Sequence, residues 1–277
     1  MPEIVFVVPY RNRVEHKFFF SKYMTSLLEG KDYEIFFVHQ FDNRSFNRGA
    51  MKNIGFLSVK TKYPNYKDIN FVFNDVDTIP FNDIFDYQTT EGVVKHYYGF
   101  EHALGGIVVI KGSDFEKING FPNCWGWGSE DTSLQKRCIA HKIKIDRSDF
   151  KCIGNPQILQ LFDGVERIIN RSDYVNVKYD VNGREGLATL FPIFTIDKDS
   201  KNEKDNVHVI ENEKIFIVNV NYFSCGIQYD KANIYKYDIR DPKRKIIHPS
   251  ARKQTNVVVS TTDDWKNIRY RSIKRLS

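Results

Sequence analysis

Apolar residues in the first two-thirds of the chain form short runs that alternate with segments of helical period. Four runs have the β-branched and aromatic content typical of strands buried on both faces: 4–8, 34–39, 69–73 and 106–110. Between them, apolar positions in 14–28 and 51–59 recur at helical spacing, and Gly30 and Pro64 follow as stop signals. This alternation predicts an α/β fold, with a mainly parallel sheet flanked by helices.

The pattern changes after about residue 180. Residues 197–206 form a charged, polar stretch, and the apolar runs 207–210 and 214–220 predict a hairpin. From Lys236 to Ser277 there are 12 basic and 4 acidic residues, a net charge of +8, whereas the whole chain carries +6. We therefore expect a domain at 1–195 and a small, basic, β-containing appendage at 196–277, with one further apolar run at 257–259.

Composition excludes several classes of protein. With 277 residues, 41% hydrophobic and 14% aromatic, the chain can fill a sizeable core, so it is neither disordered nor fibrous. No apolar run approaches the ~20 residues needed to span a bilayer, and the start MPEIVFVVPYRNR lacks the basic region of a signal peptide. Four cysteines without metal-type spacing predict free thiols. We therefore expect a soluble protein: a cytoplasmic enzyme, a viral or microbial homologue, or a domain of a longer protein.

Two carboxylates follow the third predicted strand. In residues 73–80 (FNDVDTIP), Asp75 and Asp77 stand two positions apart. Because open α/β sheets bind ligands at the carboxyl ends of their strands, we expect both acids to border a cleft. Oxygen ligands of this kind suit a hard divalent cation that also contacts a diphosphate. A turn with two solvated acids is the alternative interpretation.

Glycines alternate with indole rings in residues 121–131 (FPNCWGWGSED), ahead of a helix predicted to run to about His141. Ser129 is a candidate N-cap, and Glu130 and Asp131 in the first turn suit the helix dipole. An ordinary capped helix explains the two acids. It does not explain two tryptophans beside flexible glycine backbone, an arrangement that can form a wall for a sugar ring or a base.

Arginines follow the first strand in residues 9–13 (PYRNR) and precede a helix in residues 46–48 (FNR). Guanidinium groups can bind phosphate in a bidentate way. Each motif alone is typical of a solvated surface. Together with the acid pair, they predict a site for a metal-bridged diphosphate.

Taken in order, these motifs resemble the β-1,4-galactosyltransferase family, also called glycosyltransferase family 7. The matching blocks are 9–13, 46–56, 71–80, the pair Gly105-Gly106 and 115–131, with a weaker match at 184–190. The resemblance covers about residues 3–195. It implies a GT-A fold, inversion at the anomeric carbon, Mn²⁺ or Mg²⁺ as cofactor, and a UDP-sugar donor that is usually UDP-galactose.

The resemblance also implies roles for individual residues. Asp77 would ligate the metal, Asp131 would be the general base, and Glu130 would bind sugar hydroxyls beside it. The residues implied to hold the nucleotide-sugar are Pro9, Arg11, Arg13, Phe46, Arg48, Asp75, Val76, Gly106 and Trp127. A general base must be ionised, and a carboxylate at a helix N-terminus is kept in that state.

Two positions depart from the family pattern. The family's second metal ligand is a histidine, and ungapped alignment from Glu130 places Gln160 there. The amide oxygen of Gln160, or Asp163, would give all-oxygen ligation, which suits Mn²⁺ or Mg²⁺. Ala103 falls where galactose-specific members carry tyrosine. The smaller side chain relieves crowding at C2 of the sugar, which extends the candidate donors to N-acetylgalactosamine and glucose.

The leading hypothesis is a metal-dependent, inverting glycosyltransferase that transfers a hexose from a UDP-sugar to a glycan or protein-linked acceptor. The alternative is a weak or inactive homologue that binds sugar nucleotides or glycans. Nucleic-acid binding through basic residues 243–245 and 269–275 is disfavoured, because the net charge of the chain is only +6.

Overall fold

The computed structural model describes residues 1–170, 172, 173, 177, 180, 183–200 and 209–240. The strands in these residues are β1 (Ile4–Tyr10), β2 (Tyr33–Gln40), β3 (Asn70–Asn74), β4 (Thr78–Pro80), β5 (Val93–Gly99), β6 (Ile107–Lys111), β7 (Lys144–Asp146), β8 (Lys151–Cys152), β9 (Ile158–Gln160), β10 (Glu166–Asn170), β11 (Phe191–Lys198), β12 (Ile215–Ser224) and β13 (Ile234–Asp238). The α-helices are α1 (Val14–Leu27), α2 (Arg48–Lys62), α3 (Gly112–Lys117) and α4 (Glu130–Ala140). The predicted apolar run at 257–259 and the basic runs 243–245 and 269–275 lie outside the described residues.

In the described part of the chain, nine strands form a mixed sheet at the centre of the molecule. Its order is β11–β12–β2–β1–β3–β6–β5–β7, and β8 also pairs with β5. The central strands β12, β2, β1 and β3 run parallel, whereas β6 runs antiparallel to both β3 and β5. The predicted α/β class with a mainly parallel sheet is confirmed.

The middle strand β1 is buried along its whole length, as a parallel strand covered on both faces must be. Its side chains alternate between two apolar cores. Val5 and Val7 face the core that also contains residues of α2, and Phe6 faces the core that contains Phe20 of α1. The two cores fix the sheet between its helices and thereby fix the loops at its carboxyl edge.

The C-terminal part differs from the predicted hairpin. Strand β12 pairs antiparallel with β11 and parallel with β2, so it joins the main sheet. Residues 207 and 208 of the predicted hairpin lie outside the described residues. An isolated two-stranded hairpin is marginally stable, whereas a strand added to a large sheet buries a full face. The predicted boundary at residue 195 lies inside β11.

Two expectations from composition can be compared with the structure. The cysteines Cys124, Cys138, Cys152 and Cys225 are free thiols. Over the described ranges, no helix is long and apolar enough to cross a bilayer.

Candidate active site

A cleft lies where β1 and β3 end at the same edge of the sheet. Most of the residues predicted to bind nucleotide-sugar line it, together with the predicted metal ligand: Pro9, Arg11, Arg13, Phe46, Arg48, Asp75, Val76, Asp77 and Trp127. Residues that sequence motifs did not assign to nucleotide-sugar complete the lining: Gly126, Asp163, Glu166, Arg167 and Ile168. The parallel strands thus bring together motifs that are far apart in the chain.

The turn that carries Asp75 and Asp77 is held by Asn74 at the end of β3. The Asn74 amide nitrogen donates to the carbonyl oxygens of Asp75 and Thr78, each at 2.8 Å. The backbone of Asp75 donates to the carbonyl of Gly106 at 3.2 Å. Gly106 has a φ of 74°, and a Cβ there would lie 2.4 Å from the carbonyl oxygen of Tyr98. Gly106 therefore supports the turn through its backbone and does not line the cleft.

Arg48, at the start of α2, connects three carboxylates. Its Nη2 lies 2.6 Å from Asp75 Oδ2 and 3.5 Å from Asp131 Oδ2, and its Nε lies 3.8 Å from Glu130 Oε1. Burial lowers the pKa of Arg48, but the surrounding carboxylates outweigh burial and raise it above its ordinary value. Arg48 therefore stays charged and joins the Asp75 side of the cleft to the α4 side.

Asp131 lies beside the cleft rather than in its lining. Lys52 donates to Asp131 Oδ1 at 2.9 Å, and Asp131 Oδ2 faces Arg48. Burial raises the pKa of Asp131, but the charges of Lys52 and Arg48 lower it below its ordinary value, so the carboxylate is ionised. The ionised state expected of a base is thus produced mainly by two cations from α2.

Glu130 is more deeply buried than Asp131. Burial, followed by the charge of Asp131, raises the pKa of Glu130. Its Oε2 and the Nε of Arg48 are both buried without a hydrogen-bond partner among the described residues. Buried polar atoms in native proteins are normally satisfied. These two atoms belong to side chains that approach each other to 3.8 Å, so they indicate a place where a polar ligand or a water can bind.

Asp77 and Asp163 are two of the carboxylates that line this cleft, and they are candidates for holding a cation. Arg13 lies between them, with nitrogens 3.7 Å from Asp77 Oδ2 and 3.8 Å from Asp163 Oδ2. Within the described residues, no group of three or more His, Cys, Asp or Glu side chains could hold a metal. Asp163 Oδ1 also accepts a hydrogen bond from Arg167 at 2.8 Å. A hard divalent cation held by these two carboxylates would therefore compete with Arg13 and Arg167, and it would take its other ligands from water and a diphosphate.

Gln160 lies next to this pair but outside the cleft lining. Strand β9 pairs with β4 so that Gln160 is opposite Thr78. Its Oε1 accepts a hydrogen bond from the Tyr98 hydroxyl at 3.0 Å, and its Nε2 lies 3.3 Å from the Thr78 hydroxyl. The oxygen that would ligate a metal is therefore already engaged with a protein donor, and Gln160 as a ligand stays a prediction.

Trp127 projects from the turn before α4, and its side chain is half exposed at 51%. Its backbone donates to the carbonyl of Ile168 in β10 at 2.7 Å, and the Arg167 guanidinium lies 5.7 Å from its ring centroid. Gly126, just before it, donates to Asp173 at 3.0 Å. Burial raises the pKa of Asp173 to about 7. The exposed indole is thus held against the cleft by β10.

The structure differs from the sequence prediction at Ser129, which precedes α4, and at Lys52 of α2, which no motif assigned to the site. Ser129 occupies the N-cap position, but its φ is 76° and its side chain makes no capping hydrogen bond, so its predicted capping role is wrong. Lys52 was missed because lysine side chains on helices are mostly exposed to solvent. Its spacing of four residues from Arg48, which places both on one helix face, is the signal that could have identified it.

The fold is similar to that of the catalytic domain of Drosophila β1,4-galactosyltransferase 7, solved in complex with xylobiose. The TM-score is 0.60 at 23% identity, over 82% of this chain and 96% of that chain. A variant of the same fly enzyme, solved with manganese, UDP-Gal and xylobiose, gives a TM-score of 0.59 at 22% identity over the same shares. The molecule therefore has the GT-A fold of glycosyltransferases.

Sequence comparison gives the family. The N-terminal region of glycosyl transferase group 7 matches residues 2–90, and the N-terminal domain of galactosyltransferase matches residues 89–159. Together these matches cover more than half of the chain. The protein belongs to the galactosyltransferases of glycosyltransferase group 7, which confirms the resemblance noted from the motifs.

Individual relatives match only part of their own length. β-1,4-Galactosyltransferase 4 of Mus musculus is 34% identical over 160 residues, which is 53% of this chain and 45% of the mouse protein. Xylosylprotein 4-β-galactosyltransferase of Caenorhabditis elegans is 30% identical over 188 residues, or 64% of this chain and 63% of the worm protein. The chain thus spans less than two-thirds of either relative.

Proposed function

We propose that this protein is an inverting, divalent-metal-dependent glycosyltransferase. It transfers a hexose from a UDP-sugar to a glycan or protein-linked acceptor, and galactose is the leading candidate for that hexose. The observation that carries the proposal is the pair of sites joined by Arg48. One is the cleft around Asp75 and Asp77, whose arginines suit a diphosphate. The other, next to it, is the pair of acids Glu130 and Asp131, which could accept hydrogen bonds from sugar hydroxyls.

Asp131 is the proposed general base. In an inverting displacement, the acceptor hydroxyl loses its proton as its oxygen attacks the anomeric carbon, and the bond from that carbon to the UDP oxygen breaks. An ionised carboxylate is needed to take the proton. The ion pair with Lys52, 2.9 Å away, keeps Asp131 in that state despite its burial. Glu130 and Arg48 lie beside Asp131 and are proposed to complete the polar wall that faces the reacting sugars.

The arginines of the cleft are proposed to hold the diphosphate. Arg11 and Arg13 follow β1 and lie opposite the Asp75–Asp77 turn, so their guanidinium groups could stabilise the negative charge that develops on departing UDP. Asp77, with Asp163 or Gln160, would hold the cation. A bound Mn²⁺ or Mg²⁺ supplies further stabilisation of that negative charge.

Donor and acceptor are proposed as classes. Ala103 favours testing UDP-N-acetylgalactosamine and UDP-glucose beside UDP-galactose. The names of two relatives, a xylosylprotein galactosyltransferase and a galactosyltransferase solved with xylobiose, support a xylose-ended acceptor as one candidate. Other glycosides, N-acetylglucosaminides among them, complete the panel of acceptors to be tested.

The test is a screen of three UDP-sugars against β-xylosides and N-acetylglucosaminides, with Mn²⁺, Mg²⁺ or EDTA. UDP release and product mass are measured for wild type, Asp131→Asn and Asp83→Asn. Asp83 pairs with Lys31 on the surface, so its variant is a matched control for the change of charge. We expect a metal-dependent product from wild type and from Asp83→Asn. Asp131→Asn should lose transfer while it keeps UDP binding.

The alternative function, a sugar-nucleotide-binding homologue, is favoured by the engaged amide of Gln160. Calorimetric binding of UDP-sugar without product on any acceptor would support that alternative and reject the transferase. Near wild-type turnover in Asp131→Asn would reject the assignment of the base.

A further inference from the structure

Lys52 is a buried lysine that no sequence motif assigned to the site. Only 1% of its surface is exposed. Its Nζ lies 2.9 Å from Asp131 Oδ1 and 4.5 Å from the centroid of the Phe121 ring. Removing an ammonium group from water is costly unless the group is paired. The burial of Lys52 is therefore explained by its pairing with the carboxylate of Asp131.

The two oxygens of Asp131 have different surroundings. Oδ1 accepts the hydrogen bond from Lys52. Among the described residues, the hydrogen-bond contact of Oδ2 is the longer one of 3.5 Å to Arg48, and Oδ2 lies against Gly105. The other charged or titratable groups that act on Asp131 are Glu130 beside it on α4 and His96 on β5.

We propose that Lys52 is a positioning residue for sugar transfer: it holds Oδ1 of Asp131, so that Oδ2 is the atom that takes the proton of the acceptor hydroxyl. This inference rests on the proposed function. The acceptor oxygen bonds to the anomeric carbon, its proton moves to Oδ2, and UDP leaves with the electron pair of the broken bond. Lys52 itself transfers no proton in this step.

The position of Lys52 has a consequence for pH dependence. A cation within hydrogen-bond distance favours the ionised form of a carboxylate, so Lys52 extends the working range of the base toward acid. Without this cation, Asp131 is protonated at a higher pH, and Oδ1 also loses the contact that sets its orientation. Both effects lower the rate of transfer, and neither touches the arginines that face the diphosphate.

The experiment compares wild type, Lys52→Met, Lys52→Arg and Lys62→Met. Lys62 is the matched control, since it also pairs with a carboxylate, Glu34, and lies over an aromatic ring at the far end of α2. We expect the acidic limb of kcat/KM to move up by about 1 pH unit or more in Lys52→Met. We also expect kcat to fall about 10-fold or more, with the KM for donor within about twofold. Lys52→Arg should restore most of kcat and most of the position of the acidic limb. Lys62→Met should match wild type in both.

An unmoved acidic limb and unchanged kcat in folded Lys52→Met would overturn the inference. If Lys52→Met does not fold, Lys52→Gln, which keeps a polar group without the charge, provides the same test. If wild type shows no transfer on any acceptor, the proposed function fails. The inference is then judged by ¹³C titration of the Asp131 carboxyl in wild type and the same variants. Equal midpoints would overturn it, and a higher midpoint without the cation would support it.

Discussion

Gly105 lies against the side chain of the proposed base, and it offers a direct steric test of the site. A Cβ at this position would lie 2.3 Å from Asp131 Oδ2 and 2.8 Å from its Cγ. Gly105 is not among the glycines with positive φ, so alanine is compatible with its backbone conformation. Gly105→Ala therefore perturbs the carboxylate and spares the fold.

The size of the effect follows from the distances. Ordinary carbon contacts begin near 3.4 Å, so the added methyl group displaces Oδ2 by about 1 Å. The carboxylate cannot make this shift without changing its 2.9 Å contact with Lys52. Misplacement of a catalytic group by about 1 Å can lower the rate ~100-fold, which corresponds to about 2.7 kcal/mol in the barrier. We expect kcat to fall by about this factor.

The assay is steady-state transfer by Gly105→Ala, with Tm and UDP affinity measured in parallel. Because the change acts through Asp131, the double variant Gly105→Ala/Asp131→Asn should be no slower than Asp131→Asn alone. UDP affinity should stay within about twofold of wild type, since Gly105 does not line the cleft.

Turnover within about threefold of wild type in folded Gly105→Ala would refute the reasoning. It would mean that the position of Asp131 Oδ2 does not limit transfer. If the losses of kcat from Gly105→Ala and Asp131→Asn were additive in the double variant, the added methyl group would act on a part of the site other than Asp131.

Two further predictions concern the metal and pH. Asp77→Asn and Asp163→Asn should each weaken Mn²⁺-dependent UDP binding about 10-fold or more by calorimetry, because both carboxylates border the cleft. Gln160→Ala should change Mn²⁺-dependent UDP binding by less than about threefold. A larger loss in Gln160→Ala than in Asp163→Asn would instead identify Gln160 as the metal ligand. Burial, with the charge of Arg147, lowers the pKa of His96 to about 4. Its stabilising contribution, full above pH ~6.5, should therefore be lost as pH falls through about 4. The Tm of His96→Gln should decline less between pH 7 and 4 than that of wild type, and equal slopes would contradict this.

Much of the site could be predicted because its chemistry is local to strand ends. Asp75 and Asp77 follow β3, and Arg11 and Arg13 follow β1, so a parallel sheet alone places them at one edge. These residue types carry their chemistry wherever the backbone brings them together. Their position therefore followed from the apolar runs and did not require knowledge of side-chain packing.

Other parts of the site depend on contacts that no local pattern encodes. Glu166, Arg167 and Ile168 reach the cleft on β10, which pairs with β13 some seventy positions later. The partner of Lys52 lies 79 positions away in the chain. The left-handed backbone of Ser129 likewise depends on how the turn before α4 packs. With this backbone, the Ser129 side chain does not make the capping hydrogen bond that the sequence predicts.

The charged residues of the site are held by a buried amide network. Asn47 caps α2 and donates to the carbonyl of Asn123 at 3.0 Å, while Asn53 exchanges hydrogen bonds with the backbone of Phe121 at 2.8 and 2.9 Å. An unpaired buried amide costs roughly 1–3 kcal/mol, so α2 and the 121–124 loop cannot shift separately without that penalty. Arg48 and Lys52 are on this helix, and Asp131 follows this loop. Their mutual positions are therefore set by folding, before any substrate binds, and charges fixed in advance need little reorganisation during reaction.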